Sequence, residues 1–308
     1  MLIFKKLGLS DIEIMKPYFL LSKNRACDNT VGGTFIWRDF FQMEYAAYKN
    51  NFIFKGKFFI SNENENITVF AMPLGKNTEE ITDSLKQIES YCKENKIPMI
   101  ICLATGEDIE IIEMLYKNIN KSEEIGWSDY LYKASDLSTL AGRKYSGQRN
   151  HINYFKRTYE NYDIKQINAE NIDDARNFFE GYKNRHDKNL PALIEEAEKI
   201  LEMLESIENY RIYGQIGVVL YIDGAVAGFS IGEIINEILF VHIEKADLNY
   251  RGAYQIIVNE FVKQNININK NIIYVNREDD AGDENLKISK MSYHPCDIIK
   301  KYTVEIKF

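Results

Sequence analysis

Residues 239–260, LFVHIEKADLNYRGAYQIIVNE, have the pattern of a buried strand that runs directly into an amphipathic helix. Side chains alternate along a strand, which would place Leu239 and Val241 on one face and His242 and Glu244 on the other. A carboxylate and an imidazole at this spacing, followed by a Gly-containing turn and a helix N-terminus, can bind a charged group and move a proton. The same pattern also fits a solvated strand end with a histidine whose hydrogen bonds are satisfied in the core.

The composition is that of a soluble globular protein. The 308 residues, 45% hydrophobic and 27% charged, suffice for about two domains with sizeable cores. A net charge of −8 argues against a protein whose whole surface binds nucleic acid. The apolar runs are of strand length, and the N-terminal stretch MLIFKKLGLSD lacks the apolar core of a signal peptide. We therefore expect no membrane span and a cytoplasmic location.

The cysteines show no pattern that indicates chemistry. They are scattered, without a CxxC pair and without histidines at zinc-finger spacing, which favours reduced thiols over a disulfide framework or a zinc site. We predict no bound metal and no resident cofactor. The cysteines are Cys27, Cys92, Cys102 and Cys296.

The two halves of the chain share one order of predicted elements. Each begins with a strand and two helices, continues with three antiparallel strands, and ends with helix, strand, helix and strand. Asp223-Gly224 predicts the tight turn of one hairpin, and Asn62–Asn66 predicts a polar turn in another. No residue-level repeat accompanies this order. We predict an α/β (α+β) fold of two similar lobes, residues 1–135 and 136–308, each a mostly antiparallel mixed sheet flanked by helices.

One segment between the halves is densely basic. Residues 141–157, AGRKYSGQRNHINYFKR, contain five lysines and arginines with aromatic residues interleaved. Such a run is most often the solvated face of a helix, but it also suits phosphate groups, carboxylates or an RNA backbone. On the second interpretation, a helix beginning here would direct substrate-binding residues toward a cleft between the lobes. These residues are Lys144, Arg149 and Asn150.

A second polar cluster follows a later strand. In residues 274–282, YVNREDDAG, strand alternation places Tyr274, Asn276 and Glu278 on one face, and Asp279 lies in the turn that follows. Acidic residues before a helix are often only caps that the helix dipole favours. The functional alternative is an acidic pocket that recognises an ammonium group. The spacing does not fit a calcium-binding loop, so we predict no metal here.

The element order and several motifs resemble known families. The order is similar to that of the GCN5-related (GNAT-like) acyltransferases, arranged in tandem. The motifs look like those of an uncharacterised bacterial family grouped with the C-terminal domain of phosphatidylglycerol lysyltransferase. Relatives with known chemistry transfer an aminoacyl group from a charged tRNA to a lipid or peptidoglycan amine or hydroxyl. The motifs are DYLY (129–132), GRKYSGQRNHINYFKR (142–157), HIEKADLNYRGAYQ (242–255), NREDDAG (276–282) and LKISKMSYHP (286–295).

Two departures from these relatives limit what the resemblance implies. Relatives that use acetyl-CoA hold its pyrophosphate in a glycine-rich loop before a helix. Here Tyr254 and Ile256 stand where the glycines belong, so we expect side chains to crowd the phosphates and disfavour a CoA thioester. The lysyltransferases also carry a multi-pass membrane domain before this region. Its lack here weighs against a lipid acceptor.

We expect Glu244, His242, Lys245, Arg277 and Glu278 to converge on one pocket in the second lobe. Opposite charges would keep one another ionised there, leaving His242 to titrate near neutrality. The predicted catalytic residues are Glu244, His242 and Glu278. The predicted substrate-binding residues are Lys144, Tyr145, Arg149, Asn150, Lys245, Tyr254, Asn276, Arg277 and Asp279.

Three functions are consistent with this site. The first is a GNAT-like transferase that moves an acyl or aminoacyl group onto an amine or hydroxyl, with a small-molecule or aminoacyl donor such as aminoacyl-tRNA. The second is an acyl-CoA N-acetyltransferase. The third is a non-catalytic binding or sensing module that keeps the cleft without the chemistry. The sequence does not indicate an oligomeric state.

Overall fold

The chain folds into two sheets with helices on their faces, in the residues that the computed structural model describes, 2–60, 65–185 and 191–308. The strands are β1 (Lys5–Lys6), β2 (Glu44–Tyr48), β3 (Asn51–Ile60), β4 (Glu65–Phe70), β5 (Met99–Ala104), β6 (Ile119–Glu123), β7 (Asp129–Lys133), β8 (Tyr162–Gln166), β9 (Ile216–Ile222), β10 (Ala225–Ile235), β11 (Ile238–Ala246), β12 (Tyr274–Asn276), β13 (Asp297–Ile299) and β14 (Tyr302–Ile306). The helices are α1 (Ile12–Phe19), α2 (Val31–Phe35), α3 (Thr78–Asn95), α4 (Gly106–Leu115), α5 (Ala134–Thr139), α6 (Ser146–Thr158), α7 (Ile172–Arg185), α8 (Pro191–Leu204), α9 (Ile207–Tyr213), α10 (Ala253–Ile268) and α11 (Glu284–Met291).

The chain forms two compact units, each built around one sheet. The first unit is Met1–Asp129 with Ile299–Phe308, and the second is Tyr130–Ile298. Within the described residues, the strand orders are β1-β2-β3-β4-β5-β14-β6 and β13-β7-β12-β11-β10-β9-β8. Both sheets are mostly antiparallel, with parallel pairs at β4–β5 and β11–β12. The prediction of two α/β lobes, each a mostly antiparallel mixed sheet flanked by helices, is confirmed.

Each sheet takes one strand from the other half of the sequence. β14 lies between β5 and β6 and pairs antiparallel with both, while β7 pairs with β12 and lies beside β13. The predicted division into 1–135 and 136–308 therefore differs from the compact units in the placement of these two strands. Sequence order could not reveal the exchange, because both strands are short segments that fit either sheet.

The hairpin between β9 and β10 has the predicted tight turn. Asp223 and Gly224 have φ angles of 50° and 80°, which are the left-handed values that a two-residue turn of this kind requires. This prediction is confirmed, and it fixes the register of the two strands that lead toward β11. The polar turn predicted at Asn62–Asn66 lies largely outside the described residues.

Strand β11 extends beyond its parallel partner. The β11–β12 pairing runs from Ile238 opposite Tyr274 to Phe240 opposite Asn276, and β11 then continues to Ala246. The polar residues of both strands begin where this pairing stops. The open end between the two strands therefore positions the candidate site in the second unit.

Candidate functional site

Strand β11 contains one extra residue relative to β10. The Cα partners change from Ile231 opposite Ile243 to Gly232 opposite Val241, so His242 has no partner across the pair. This arrangement is a β-bulge, and it shifts the alternation of faces by one residue. Glycine is required opposite the bulge, because a Cβ at that position would lie 2.0 Å from a carbonyl oxygen of β11.

The bulge places His242 and Glu244 on opposite faces of the sheet. Gly228 of β10 lies on the same face of the sheet as Glu244. A Cβ at Gly228 would meet Ile257 of α10, so α10 covers that face. His242 forms a hydrogen bond to Glu233. The residue after Glu233 packs into the core on the α10 face, so the side chains of Glu233 and His242 lie on the opposite face. The expectation that His242 and Glu244 share one face of the sheet is wrong, because the inserted residue breaks the alternation of side chains along β11.

His242 is buried between two carboxylates. Its Nδ1 lies 2.6 Å from Glu278 Oε1 and its Nε2 lies 2.8 Å from Glu233 Oε1, with 1% of the side chain exposed. Burial lowers the pKa of an imidazole, but the two carboxylates outweigh burial and raise the pKa of His242 to about 10. The side chain is thus an imidazolium at neutral pH, with both nitrogens donating. The expectation that it titrates near neutrality is wrong.

Glu244 and Arg277 form an ion pair that leaves one atom of each side chain without a partner. Glu244 Oε2 accepts hydrogen bonds from Arg277 Nη2 at 2.6 Å and from Nε at 3.2 Å. The guanidinium carbon lies 4.8 Å from the ring centroid of Tyr293. Among the described residues, Glu244 Oε1, Arg277 Nη1 and the cross-strand Ser230 Oγ are buried and have no hydrogen-bond partner. The ion pair therefore offers a ligand one acceptor and one donor.

The segment after β12 is held by hydrogen bonds between side chains and the backbone. Glu278 has a left-handed φ of 57°, and Asn276 Oδ1 accepts its amide hydrogen at 2.7 Å. The buried ammonium of Lys290 donates to the carbonyl oxygens of Arg277 and Asp279. Burial and then the Arg277 charge lower the pKa of Lys290. These contacts give Asn276 and Asp279 structural roles in placing Arg277 and Glu278.

Three residues of this region were not predicted from the sequence. Glu233 and Ser230 lie on β10, and Lys290 lies on α11. A charged residue inside the apolar strand AVAGFSIGEII was the available signal for Glu233. Nothing in the local pattern distinguishes Ser230 or Lys290 from surface residues.

Lys245 pairs with a carboxylate that belongs to neither group. Its Nζ is 2.9 Å from a carboxylate oxygen of Glu196 on α8, and its cross-strand neighbour Phe229 packs against α7. Burial lowers the pKa of Lys245, but Glu196 outweighs it and the net pKa is raised. The residues expected in one pocket are therefore divided among three ion-paired groups. These are His242 with Glu278, Glu244 with Arg277, and Lys245 with Glu196.

The first turn of α10 holds Tyr254 but not Ile256 near the helix N-terminus. The Tyr254 hydroxyl lies 3.5 Å from the Tyr182 hydroxyl, and burial together with this contact raises the pKa of Tyr254. Ile256 is fully buried in the core. Ile256 is therefore not placed to crowd a phosphate, while Tyr254 is half-buried in the first turn of the helix.

The basic segment forms the turn before α6 and the helix itself. Lys144 Nζ and the Tyr145 hydroxyl lie 3.3 and 3.1 Å from Asp136 Oδ2. Arg149 Nη1 donates to two backbone carbonyls of the loop after α5. Asn150 is exposed. Three of the four predicted binding residues thus have structural partners within the second unit.

A group of potential metal ligands lies in the first unit, among the residues that the structure describes. One ligand atom each of Cys27, Asp28 and Asp129 lies within 4.8 Å of the others. The buried Lys301 ammonium is 2.6 Å from Asp28 and 2.7 Å from Asp129. Because the protein's own cation pairs with both carboxylates, we assign no metal to this group.

Comparison with known proteins identifies the family. Residues 19–305 match the family described as phosphatidylglycerol lysyltransferase, C-terminal. The chain belongs to this family. The resemblance inferred from the motifs is thus confirmed, and it covers most of the chain.

Solved structures and a sequence relative extend the comparison with this lysyltransferase C-terminal family. A conserved protein of unknown function from Bacteroides thetaiotaomicron is 28% identical, with a TM-score of 0.86 over 100% of both chains. The C-terminal domain of a putative lysylphosphatidylglycerol synthetase from Agrobacterium fabrum shares the fold, at 11% identity and a TM-score of 0.68 over 98% and 93% of the chains. An uncharacterised protein of Mycoplasmoides gallisepticum is 27% identical over 74% of this chain and 71% of its own. In the described part of the chain, no helix has the length and apolar character to cross a membrane.

Proposed function

We propose that the protein transfers an acyl or aminoacyl group onto an amine or hydroxyl at the Glu244–Arg277 pair. The family to which the chain belongs is named for a lysyltransferase, which supports this class of reaction. The observation that carries the proposal is the buried, unpartnered acceptor and donor of one ion pair, Glu244 Oε1 and Arg277 Nη1. Buried polar atoms are rarely left unsatisfied, and those without a protein partner commonly bond water, an ion or a ligand, or take part in a reaction.

The two atoms suit the two charges that develop in acyl transfer. Glu244 Oε1 accepts the proton of the attacking amine or hydroxyl, and Arg277 Nη1 donates to the carbonyl oxygen as it becomes negative. The proton then passes from Glu244 to the departing group. His242 pairs with one oxygen each of Glu233 and Glu278, whereas the second oxygen of Glu244 is buried without a hydrogen-bond partner.

The donor that we propose is an aminoacyl ester such as aminoacyl-tRNA. Tyr254 stands in the first turn of α10, where a CoA pyrophosphate would approach the backbone amides, and its ring disfavours that approach. CoA thioesters are therefore the less suited donors.

The test is transfer of a radiolabelled amino acid from charged tRNA. The purified protein is incubated with tRNA carrying a mixture of labelled amino acids, and acceptors are supplied separately as water-soluble amines or as phosphatidylglycerol vesicles. We expect label to move to one acceptor class, and E244Q to slow transfer by about 100-fold or more, because the base is lost. E237Q, at an exposed glutamate of the β10–β11 turn, is the matched control and should retain full activity.

Two outcomes would contradict the proposal. Transfer unaffected by E244Q in a folded protein would remove Glu244 from the reaction. If the protein transferred the acetyl group of acetyl-CoA but no aminoacyl group from charged tRNA, the proposed aminoacyl donor would be wrong.

A further inference from the structure

Helix α6 carries polar and basic residues along one exposed side. Asn150, Tyr154 and Arg157 follow one another at spacings of four and three residues, which align side chains along a helix, and Arg143 lies in the turn that precedes this helix. Arg143, Asn150 and Arg157 are exposed and Tyr154 is half-buried. We call these four residues, together with Arg251 described below, the α6 stripe.

The stripe carries positive charge that the protein itself does not neutralise. Residues 141–159 contain five basic residues and no acidic residue, in a chain whose net charge is −8. Lys144 and Lys156 have acidic neighbours in Asp136 and Glu260, and Arg149 is occupied by backbone carbonyls. Arg143 and Arg157 have no ion-pair partner within the described residues.

Arg251 connects the stripe to the end of β11. Its guanidinium carbon lies 4.6 Å from the Tyr154 ring centroid, and it is exposed in the turn between β11 and α10. The next residue, Gly252, has its backbone against α6, since a Cβ there would lie 2.7 Å from the His151 carbonyl oxygen. The stripe therefore leads to the turn that follows the strand bearing Glu244.

We propose that the α6 stripe docks RNA, as the binding surface for the acceptor end of a charged tRNA. The inference rests on the proposed function for the identity of that RNA. Arginines contact phosphates, and asparagine and tyrosine side chains bond phosphate and ribose hydroxyl groups. Aromatic rings carrying a stacked arginine also suit unpaired bases at the end of a stem.

An anionic membrane fits this surface less well. Helices that bind membranes place large apolar side chains beside their cations. The large apolar residues Ile152 and Phe155 of α6 are instead buried in the core of the second unit. The exposed side is polar between its arginines, which suits a nucleic acid backbone.

The test measures binding of fluorescently labelled, uncharged tRNA to the full chain by anisotropy. We expect R143Q/R157Q to weaken binding at least about tenfold and to reduce the slope of log affinity against log salt by about two, because two phosphate contacts are lost. K86Q/K270Q removes the same charge at exposed lysines that are not part of the α6 stripe and should bind as the wild type does. Thermal unfolding of each variant checks that the fold is kept.

The outcomes separate this proposal from the proposed function. Equal tRNA affinity of wild type and R143Q/R157Q would overturn the docking surface, and so would binding of anionic vesicles without binding of tRNA. The assay involves no chemistry, so tRNA binding that depends on the stripe, without any transfer, would support docking while the proposed reaction fails. Transfer activity that is unchanged in R143Q/R157Q would support the proposed reaction and would contradict the docking surface.

Discussion

A histidine near carboxylates is a common candidate for a general base, but its role depends on how many carboxylates surround it. His242 has one on each ring nitrogen and is shielded from water. The doubly hydrogen-bonded imidazolium has no lone pair to accept a proton. The residue types of the site could be predicted from the sequence, whereas the assignment of base and cation required the positions of Glu233 and Glu278.

His242 should make stability depend on pH in the alkaline range. Its folded pKa of about 10 exceeds the ordinary value of 6.5, so the folded state holds the proton more tightly than the unfolded state. The stabilisation is fully present below about pH 6.5 and is lost as the pH rises through about 10. We expect the free energy of unfolding, measured with urea, to fall by about 4 kcal/mol between pH 6 and pH 10.

The comparison with two variants isolates this histidine. H242Q should show little of the alkaline loss and a lower stability at about pH 6, because the buried Glu233 and the partly exposed Glu278 lose their cation. H294Q, at an exposed histidine, should keep the wild-type pH dependence. Parallel curves for wild type and H242Q would mean that His242 carries no excess proton in the folded state.

At the scale of elements, β11 and its turn into α10 organise the site. The strand, the turn and the helix could be predicted from the alternation of apolar residues and the glycine. The bulge could not, because LFVHIE alternates without interruption in sequence, and the extra residue appears only when β11 is aligned with β10. The sequence therefore predicted which residues lie near the site, but it placed His242 and Glu244 on the same face of the sheet instead of on opposite faces.

Gly252 should be required for this turn. Its φ is 93°, and a Cβ there would lie 2.7 Å from the His151 carbonyl oxygen and 3.0 Å from Phe155 Cβ. G252A should therefore lower the free energy of unfolding by about 3 kcal/mol, through both backbone strain and collision with α6. Chemical denaturation measures the change.

Gly142 supplies the matched control. Its φ is 90°, but a Cβ there would meet no atom within 4 Å. G142A should cost only the backbone strain, about 1 kcal/mol. If both variants lost the same amount, close packing at Gly252 would contribute nothing beyond its φ angle.

At the scale of the whole molecule, the two lobes and their element order could be predicted, but their boundaries could not. A strand is assigned to a sheet by pairing with residues far along the chain, and the local patterns of β7 and β14 carry no information about the partner. The exchange makes residues near the end of the chain part of the core of the first unit. Val304 and Lys301 are both fully buried there.

Removal of residues 299–308 should therefore disrupt the first unit. Without β14, strands β5 and β6 lose the partner that joins them, and the half-buried Asp28 and the buried Asp129 lose the cation of Lys301. We expect hydrogen exchange of the amides in β5 and β6 to rise by orders of magnitude, toward that of an unfolded segment. Deletion of residues 307–308, which follow β14, should leave exchange in both strands near wild type. Full protection of β5 and β6 in the longer deletion would contradict the role of β14 in joining them.

The position of β14 in the first sheet also determines when that sheet can be completed during translation. A ribosome that has made residue 129 must add residues 130–306 before the last strand of the first sheet exists, which takes about 9 to 35 s at about 5–20 residues per second. Throughout that interval β5 and β6 expose edges that can pair with other chains. The half of the protein that is translated first is thus the half that matures last, and the nascent chain must be kept from aggregating while it waits for its own C-terminal residues.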